Sequence, residues 1–503
     1  MSIPFVNSIA SWVFKMRIQQ IEQFLKYPHE VQNDLLMGMI QKAKDTEYGK
    51  FCGFKDIQTY HQYAEQVPIS TYEDYASMIE RSRTGEINVF WPNPIKWFAK
   101  SSGTTNAKSK FIPVSQDALD DCHYAASKDL VALYLNNNPE SKLFDGQSLR
   151  LGGSKELYKE NGTVFGDLSA ILIDNLPIWA EFKSTPSSRV SLMSDWNIKL
   201  QAIVDETLND NVTSLAGVPS WMLVLLNDVM QTTGANHLHD IWPNLEVYFH
   251  GGVSFQPYKA QYQKLLPKAD FKYYEIYNAS EGFFAIQDQN NSNDLLLMLH
   301  YGIFYEFISM EVFGTRHQKT IPLHEVELNQ NYALVISTNS GLWRYLIGDT
   351  VRFTSVSPYR IRITGRTKHH INAFGEELII ENADDAIKIA CKKTGAELVD
   401  YTAAPIFMEG KEKGAHEWII EFKTPPSNMN HFTQLFDEGL KSVNSDYEAK
   451  RQNNMTLNPP IVHLGRMGLF QEWLKSKNKL GGQHKVPRLS NTRDFLEELK
   501  AMT

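Results

Sequence analysis

Cysteine is scarce in this chain of 503 residues, which has only Cys52, Cys122 and Cys391. They are odd in number, far apart and without metal-ligand spacing. That argues against a disulfide framework and suits a reducing compartment, with the cytoplasm as the expected location. Long apolar runs are also missing: no window approaches the roughly 20 residues that a membrane span needs. Ser2 to Phe14 carries no basic residue ahead of its apolar stretch and is interrupted by Asn7, Ser8 and Ser11, so it does not read as a signal peptide. Ile9, Trp12, Val13, Met16 and Ile21 instead keep helical spacing and predict a surface helix packed on the body. Basic clusters are absent too. With 50 Lys+Arg against 58 Asp+Glu, a formal charge of −8, no basic stripe offers itself to nucleic-acid phosphates, and no nucleic-acid partner is expected.

What is present is an ordinary globular composition, 42% hydrophobic and 21% charged, which excludes a disordered or fibrous chain. At roughly 150 residues per domain the length suggests about three domain equivalents. Helical patterns fill the first 90 residues, with a capping box expected at Ser70 and Glu73. Beyond them Ile95 to Ala99 and Phe111 to Val114 read as strands flanking a Ser/Gly/Thr loop. Asp117 to Leu135 and Ser220 to Met230 read as helices, and Leu245 to His250 and Phe271 to Ile276 as buried strands. The pattern is α/β. Strands prevail from Leu295 to Ile363, after which helix and strand alternate again. A boundary is expected at residue 366, between a large front domain of several subdomains (1–365) and a small α+β C-terminal domain (366–503). Glu376 and Glu377 are expected on the solvated start of a helix.

The strongest local feature is Ser101-Ser102-Gly103-Thr104-Thr105-Asn106-Ala107-Lys108-Ser109-Lys110. Small residues allow close backbone approach, and hydroxyls, N–H groups and two lysines supply donors for anionic oxygens. The same composition also suits an ordinary solvated hairpin. A Walker loop is excluded, because Ser102 and Ala107 fill its glycine positions and a strand follows where a helix is required. No Gly-x-Gly-x-x-Gly follows a predicted strand, so a dinucleotide fold has no support.

Four segments follow that loop in order. In His250-Gly251-Gly252-Val253 the glycines let backbone lie flat against a planar group such as adenine. In Tyr277-Asn278-Ala279-Ser280-Glu281-Gly282 the ring suits base stacking and the carboxylate suits Mg²⁺ near phosphates. Gly341 to Asp349 ends on a carboxylate able to accept both ribose hydroxyls. Gly365-Arg366-Thr367-Lys368 comes last, with Gly375 and Glu381 beyond it. His369-His370 and His237-x-His239 lack partner ligands at metal spacing and read as ordinary loop or surface residues. Trp179, Phe182 and Trp221 suit either core or an acyl pocket; at 12% aromatic content, core is the simpler assignment.

Together, in this order and spacing, these segments resemble the adenylate-forming superfamily of acyl-CoA synthetases and luciferases over most of the chain. Within it the sequence is most similar to the Gretchen Hagen family of acyl acid amido synthetases. Residues 101–113, the Gly-Leu-Trp-Arg-Tyr run at 341–345 and Gly482-Gln483-His484-Lys485-Val486-Pro487-Arg488 carry that similarity. Ser109 and the pair Asn106-Ala107 depart from the plant pattern. The resemblance implies a luciferase-like fold with a mobile C-terminal domain and a reaction in which ATP and a carboxylic acid give an acyl adenylate, which an amine, an amino acid above all, then attacks. It implies that Ser101, Ser102, Gly103, Thr104, Thr105, Lys108 and Lys110 hold phosphates. It also implies that Tyr277, Gly251, Gly252 and Ser280 flank adenine, that Asp349 and Arg366 anchor the ribose, and that Glu281 holds Mg²⁺. Lys485 matches the mobile lysine that reaches the α-phosphate and acyl oxygen, and Lys368 the hinge. An acyl-CoA ligase and a non-catalytic nucleotide-binding protein remain as alternatives.

Overall fold

The computed structural model describes residues 4–102, 109–151, 157–176, 178–191, 193, 196–367, 370–409, 412–452, 456–477 and 486–502. Its spine is a 12-stranded sheet. In spatial order the strands are Ile321–Pro322, Ile303–Ser309, Asn331–Thr338, Tyr345–Val356, Tyr359–Arg366, Leu295–Leu297, Gly282–Ile286, Lys272–Ala279, Val247–Gly251, Val212–Gly217, Gln147–Arg150 and Ser184–Thr185. From Lys272–Ala279 to Ser184–Thr185 neighbouring strands run parallel, and the other pairs are antiparallel. Parallel strands need crossovers, and helices Trp196–Thr207 and Pro219–Thr233 supply them. Val247–Gly251 is buried at every position, as a parallel strand covered on both faces must be. Pro219–Thr233 opens on a proline in its first turn and stops at Gly234 in the left-handed conformation (φ 67°), which an L side chain resists.

A second sheet of four strands places Trp97–Ser102 between Ser109–Val114, antiparallel to it, and Thr163–Gly166, parallel to it. The expected strand pair around the Ser/Gly/Thr loop is thus present, with Ser101 opposite Lys110. The loop's centre, residues 103–108, lies outside the described residues.

Beyond residue 366 the chain forms a smaller α+β unit. Glu397–Ile406, Ala415–Thr424 and Ile461–Gly465 make a sheet, and helices Ile380–Thr394 and Met429–Val443 pack against each other so closely that a Cβ on Gly439 would lie 3.0 Å from Ala386 Cα. This unit shares a hydrophobic core with the parallel part of the large sheet. Trp221 Nε1 donates to the Phe374 carbonyl (3.3 Å), Tyr258 Oη to that of Ala373 (2.7 Å), and the Lys450 ammonium sits 4.7 Å over the Trp221 ring.

Several expectations are corrected. The capping box sits one residue later than expected: Thr71 caps Tyr72–Arg83 and its N–H donates to Asp74 (2.7 Å). Ser70 is withheld because its backbone bridges strand Tyr345–Val356, donating to the Arg344 carbonyl and accepting from Leu346 N–H. On the first helix Ile21 and Phe24 are buried but Met16 is exposed. The side chains of Ile9, Trp12 and Val13 lie outside the described residues. Phe182 is exposed rather than core, while the side chain of Trp179 is also outside the described set. Glu376 is not solvated: it is fully buried, accepts from Ala373 and Phe374 N–H, and pairs with His416 (2.8 Å). It caps a tight turn from within the C-terminal unit, and the backbone donors compensate its desolvation.

Candidate functional site

A cavity of about 1230 Å³ opens at the carboxyl ends of the parallel strands, where open α/β sheets bind ligands. The strand ends Arg150, Gly217, Gly251 and Ala279 all line it, as do residues from helix Ala125–Asn137 on one side and from the C-terminal unit on the other.

At one end of the cavity an antiparallel register sets Asp349 directly opposite Arg366. Asp349 Oδ1 pairs with Arg366 Nε at 3.0 Å, and Oδ2 accepts from Tyr277 Oη at 2.7 Å. Arg366 Nη2 turns the other way to Glu377 Oε1 at 3.0 Å. Burial raises the Asp349 pKa, and Arg366 and Tyr277 oppose that rise. Burial works against the Arg366 charge, yet Glu377 and Asp349 outweigh it and hold its pKa above the ordinary value. The result is a fixed, partly neutralised acid–base pair that presents polar atoms to the cavity.

Glu281 lies nearby, at the tight turn between Lys272–Ala279 and Gly282–Ile286. Burial pushes its carboxyl up to about 7 against the pull of Lys110, and Asp349 and Glu377 add repulsion. Tyr345 bonds to it. Lys110 stands 5.5 Å over the Tyr72 ring, on the strand that pairs with Ser101. Ser101, Lys110, Ser280 and Glu281 share the cavity wall with Tyr277 and Asp349. A desolvated carboxylate beside donors for phosphate oxygens suits Mg²⁺, which takes one or two carboxylates and fills its remaining positions with water and substrate phosphates. Among the described residues no group of three or more His, Cys, Asp or Glu forms a self-sufficient metal cage.

Gly251 and Gly252 line the cavity as well, and each is glycine for its own reason. A Cβ on Gly251 would meet the Ile276 carbonyl oxygen of the adjacent strand at 2.5 Å, whereas Gly252 has space but a φ of +83°. Ser101, Lys110, Gly251, Gly252, Tyr277, Ser280, Glu281, Asp349 and Arg366 are therefore brought together. Gly103, Thr104, Thr105, Lys108, Lys368 and Lys485 lie outside the described residues, as does the side chain of Ser102. Glu381 falls in the first turn of helix Ile380–Thr394. It is Glu377, four residues earlier, that reaches the site. Sequence reasoning also missed Glu275, whose carboxyl burial pushes up to about 7, and Arg150; both line the cavity. Neither sits in a motif.

Three family models match the chain: one described as the GH3 family N-terminal domain over residues 17–271, one as the central domain over 296–366 and one as the C-terminal domain over 381–494. The chain is similar to the indole-3-acetic acid-amido synthetase GH3.3 of Arabidopsis thaliana, 23% identical over 95% of this chain and 92% of that protein. It is also similar to the indole-3-acetic acid-amido synthetase GH3.8 of Oryza sativa subsp. indica, 22% identical over 94% and 90%. Among solved structures, the GH3.15 acyl acid amido synthetase in complex with 2,4-DB has the same fold, with a TM-score of 0.63 and 18% identity over 97% of this chain and 96% of that one. A 2-hydroxyisobutyryl-CoA ligase with 2-HIB-AMP and CoA follows at a TM-score of 0.53 and 14% identity over 99% and 92%. The fold is the expected adenylate-forming α/β architecture, with a large N-terminal part and a smaller C-terminal one.

Proposed function

This chain belongs to the GH3 family, and from that premise we propose that it is an ATP-dependent acyl acid amido synthetase, a ligase that adenylates a carboxylic acid and passes the acyl group to an amino acid. One observation carries the reading: Glu281, Lys110 and the Asp349–Arg366 pair converge on the polar end of a cavity whose other lobe is apolar. That division suits a nucleotide joined to an organic acid.

A carboxylate is a poor electrophile. Attack of its oxygen on the α-phosphorus of ATP forms the acyl–phosphate bond and breaks the bond to pyrophosphate, which leaves with the electron pair. Negative charge grows on the leaving group, and fixed donors stabilise it where it develops. Ser101, Ser102, Gly103, Thr104, Thr105, Lys108 and Lys110 take that role here. Tyr277, Gly251, Gly252 and Ser280 bound the adenine, Asp349 and Arg366 the ribose, and Lys485 the α-phosphate and acyl oxygen. Glu281 would hold Mg²⁺, which when bound would supply charge neutralisation at the phosphates. A neutral amine then attacks the acyl carbon, AMP departs, and the amine proton goes to solvent or a nearby base. The chain divides at residue 366, and rotation about Lys368 withdraws Lys485 between the two steps. Free buried thiols at Cys52 and Cys122 suit a cytoplasmic location. Among the described residues no helix is long and apolar enough to cross a membrane.

The test is pyrophosphate release across a panel of carboxylic acids, run with amino acids and separately with CoA. Acid-dependent turnover that needs an amino acid and yields the amide is the expected result. Turnover with CoA alone assigns an acyl-CoA ligase. Absent turnover together with absent ATP binding leaves a non-catalytic protein of the same fold.

A further inference from the structure

The apolar lobe of the cavity contains a charge that the reaction above leaves unused. Arg150 ends strand Gln147–Arg150 and lines the cavity. Its register partner is Ala216, whose own partner is Phe249, and both line the same wall. Residues in register share a sheet face, so the Arg150 side chain leaves the face that carries Phe249, two strand spacings or about 10 Å along the sheet. Across the cavity stand Leu130 and Val131 of helix Ala125–Asn137 and Leu172 of helix Leu168–Asp174.

Arg150 is unlike the other sequestered arginines. Arg17 pairs with Asp129, Arg344 with Glu306, Arg360 with Asp288 and Arg451 with Asp437. Among the described residues no hydrogen bond or ion pair reaches the Arg150 guanidinium, and burial alone lowers its pKa. Lys128 and Lys183 line the same lobe, and Lys183 is tied to the Phe144 carbonyl at 2.7 Å. Asp167, one of the carboxylates that line the cavity, acts on Lys199. Arg150, Lys128 and Lys183 thus line the cavity beside Asp167 and Glu275, whose carboxyl burial pushes up to about 7. The guanidinium is only partly exposed and the described residues offer it no carboxylate, so a ligand that brings the counter-charge gains a charge-assisted pair there.

We propose that the acyl acid substrate is a dicarboxylic acid: one carboxyl is adenylated beside Glu281 and Lys110, and the second pairs with Arg150 at the far end of the apolar lobe. The inference rests on the ligase reading, since the reacting carboxyl fixes one end of the substrate at the phosphate site. The guanidinium is planar and forked, which suits bidentate recognition of a carboxylate.

The experiment compares matched acids, adipic with hexanoic and terephthalic with benzoic, in wild type, Arg150→Gln and Arg150→Leu. We expect kcat/KM for pyrophosphate release to favour the diacid of at least one pair on the order of 100-fold in wild type, with the preference lost in Arg150→Gln and reversed in Arg150→Leu. ATP binding by calorimetry should stay unchanged in both variants, which shows that they fold. Thermal stabilisation by each diacid, without ATP, is measured alongside. If no acid turns over but diacid stabilisation is present and vanishes in Arg150→Gln, the anion site stands and the ligase reading fails. A wild type that prefers the monoacids, or variants that keep the diacid preference, overturn the proposal. So does an Arg150 effect confined to the KM of the amino acid, which would make the residue the dock for the amine's carboxylate.

Discussion

Asp349 faces two partners at once, and its electrostatics follow from both. Arg366 and the Tyr277 hydroxyl occupy one oxygen each, so its side chain cannot wander when the nucleotide is absent. Asp349→Asn keeps the shape but removes the charge that Arg366 balances. ATP affinity measured by calorimetry should fall by roughly 10- to 100-fold, in line with the loss of about 1.5–3 kcal/mol for a hydrogen bond to a charged group. An unchanged affinity would refute the ribose role. Lys485 makes a separate claim. Lys485→Ala should cut adenylate formation by about 10²- to 10³-fold while ATP binds nearly as before, because in the proposed mechanism the lysine would act on charge that develops in the transition state. Pyrophosphate release at the wild-type rate would count against it. At this scale the sequence was informative where residues travel in motifs: Tyr277, Glu281, Asp349 and Arg366 are all marked by their neighbours. Glu377 and Arg150 are not. A lone charged residue in a strand or turn carries no spacing, and its role depends on what folds against it.

Elements show the same division. Most strands and helices appear where hydrophobic patterning places them, and Ser109–Val114 extends the expected Phe111 strand toward the loop by pairing with Trp97–Ser102. The capping box slipped by one residue because Ser70 and Thr71 are both good caps, and a backbone bridge to residues 344 and 346 decides between them. That bridge is anchored by Arg344, which combines a φ of +45° with an ion pair to buried Glu306 and bonds to the carbonyls of Ala64 and Val67. Arg344→Met would leave Glu306 desolvated without its cation. The expected loss is about 3–5 kcal/mol, the usual cost of breaking a buried pair by removing one partner, and urea denaturation reads it. A midpoint within experimental error of wild type would mean that Glu306 finds another partner. The sequence offers no hint of this pair, because its members lie 38 residues apart, Glu306 on strand Ile303–Ser309 and Arg344 in the bend ahead of Tyr345–Val356.

For the molecule as a whole, local patterning identifies strands but does not order them. Leu295–Leu297 slots between Gly282–Ile286 and Tyr359–Arg366, so the sheet closes over a chain separation that no local pattern encodes. The acid limit of the fold is equally a matter of distant partners. Burial disfavours the Glu417 charge, but hydrogen bonds from Lys500, Arg493 and His463 outweigh it and hold the carboxyl down to about 2, against an ordinary 4.5. A depressed carboxyl stabilises the fold fully above its unfolded pKa and loses that contribution as pH falls toward the folded one. The urea midpoint should therefore decline between pH 5 and 2. In Glu417→Gln the curve should start lower at pH 7 and fall less steeply; parallel curves would show that other carboxylates dominate.

Arg366 closes the large sheet with one hand on Asp349 and the other on Glu377, beyond the junction. Any swing of the C-terminal unit about that junction must release the second grip while the first holds. If, as proposed, a ribose occupies Asp349, it would change how firmly Arg366 holds Glu377, and by reciprocity the posture of the C-terminal unit would set the affinity for that ribose. On the proposed mechanism, nucleotide occupancy and domain orientation would then be two readings of a single equilibrium.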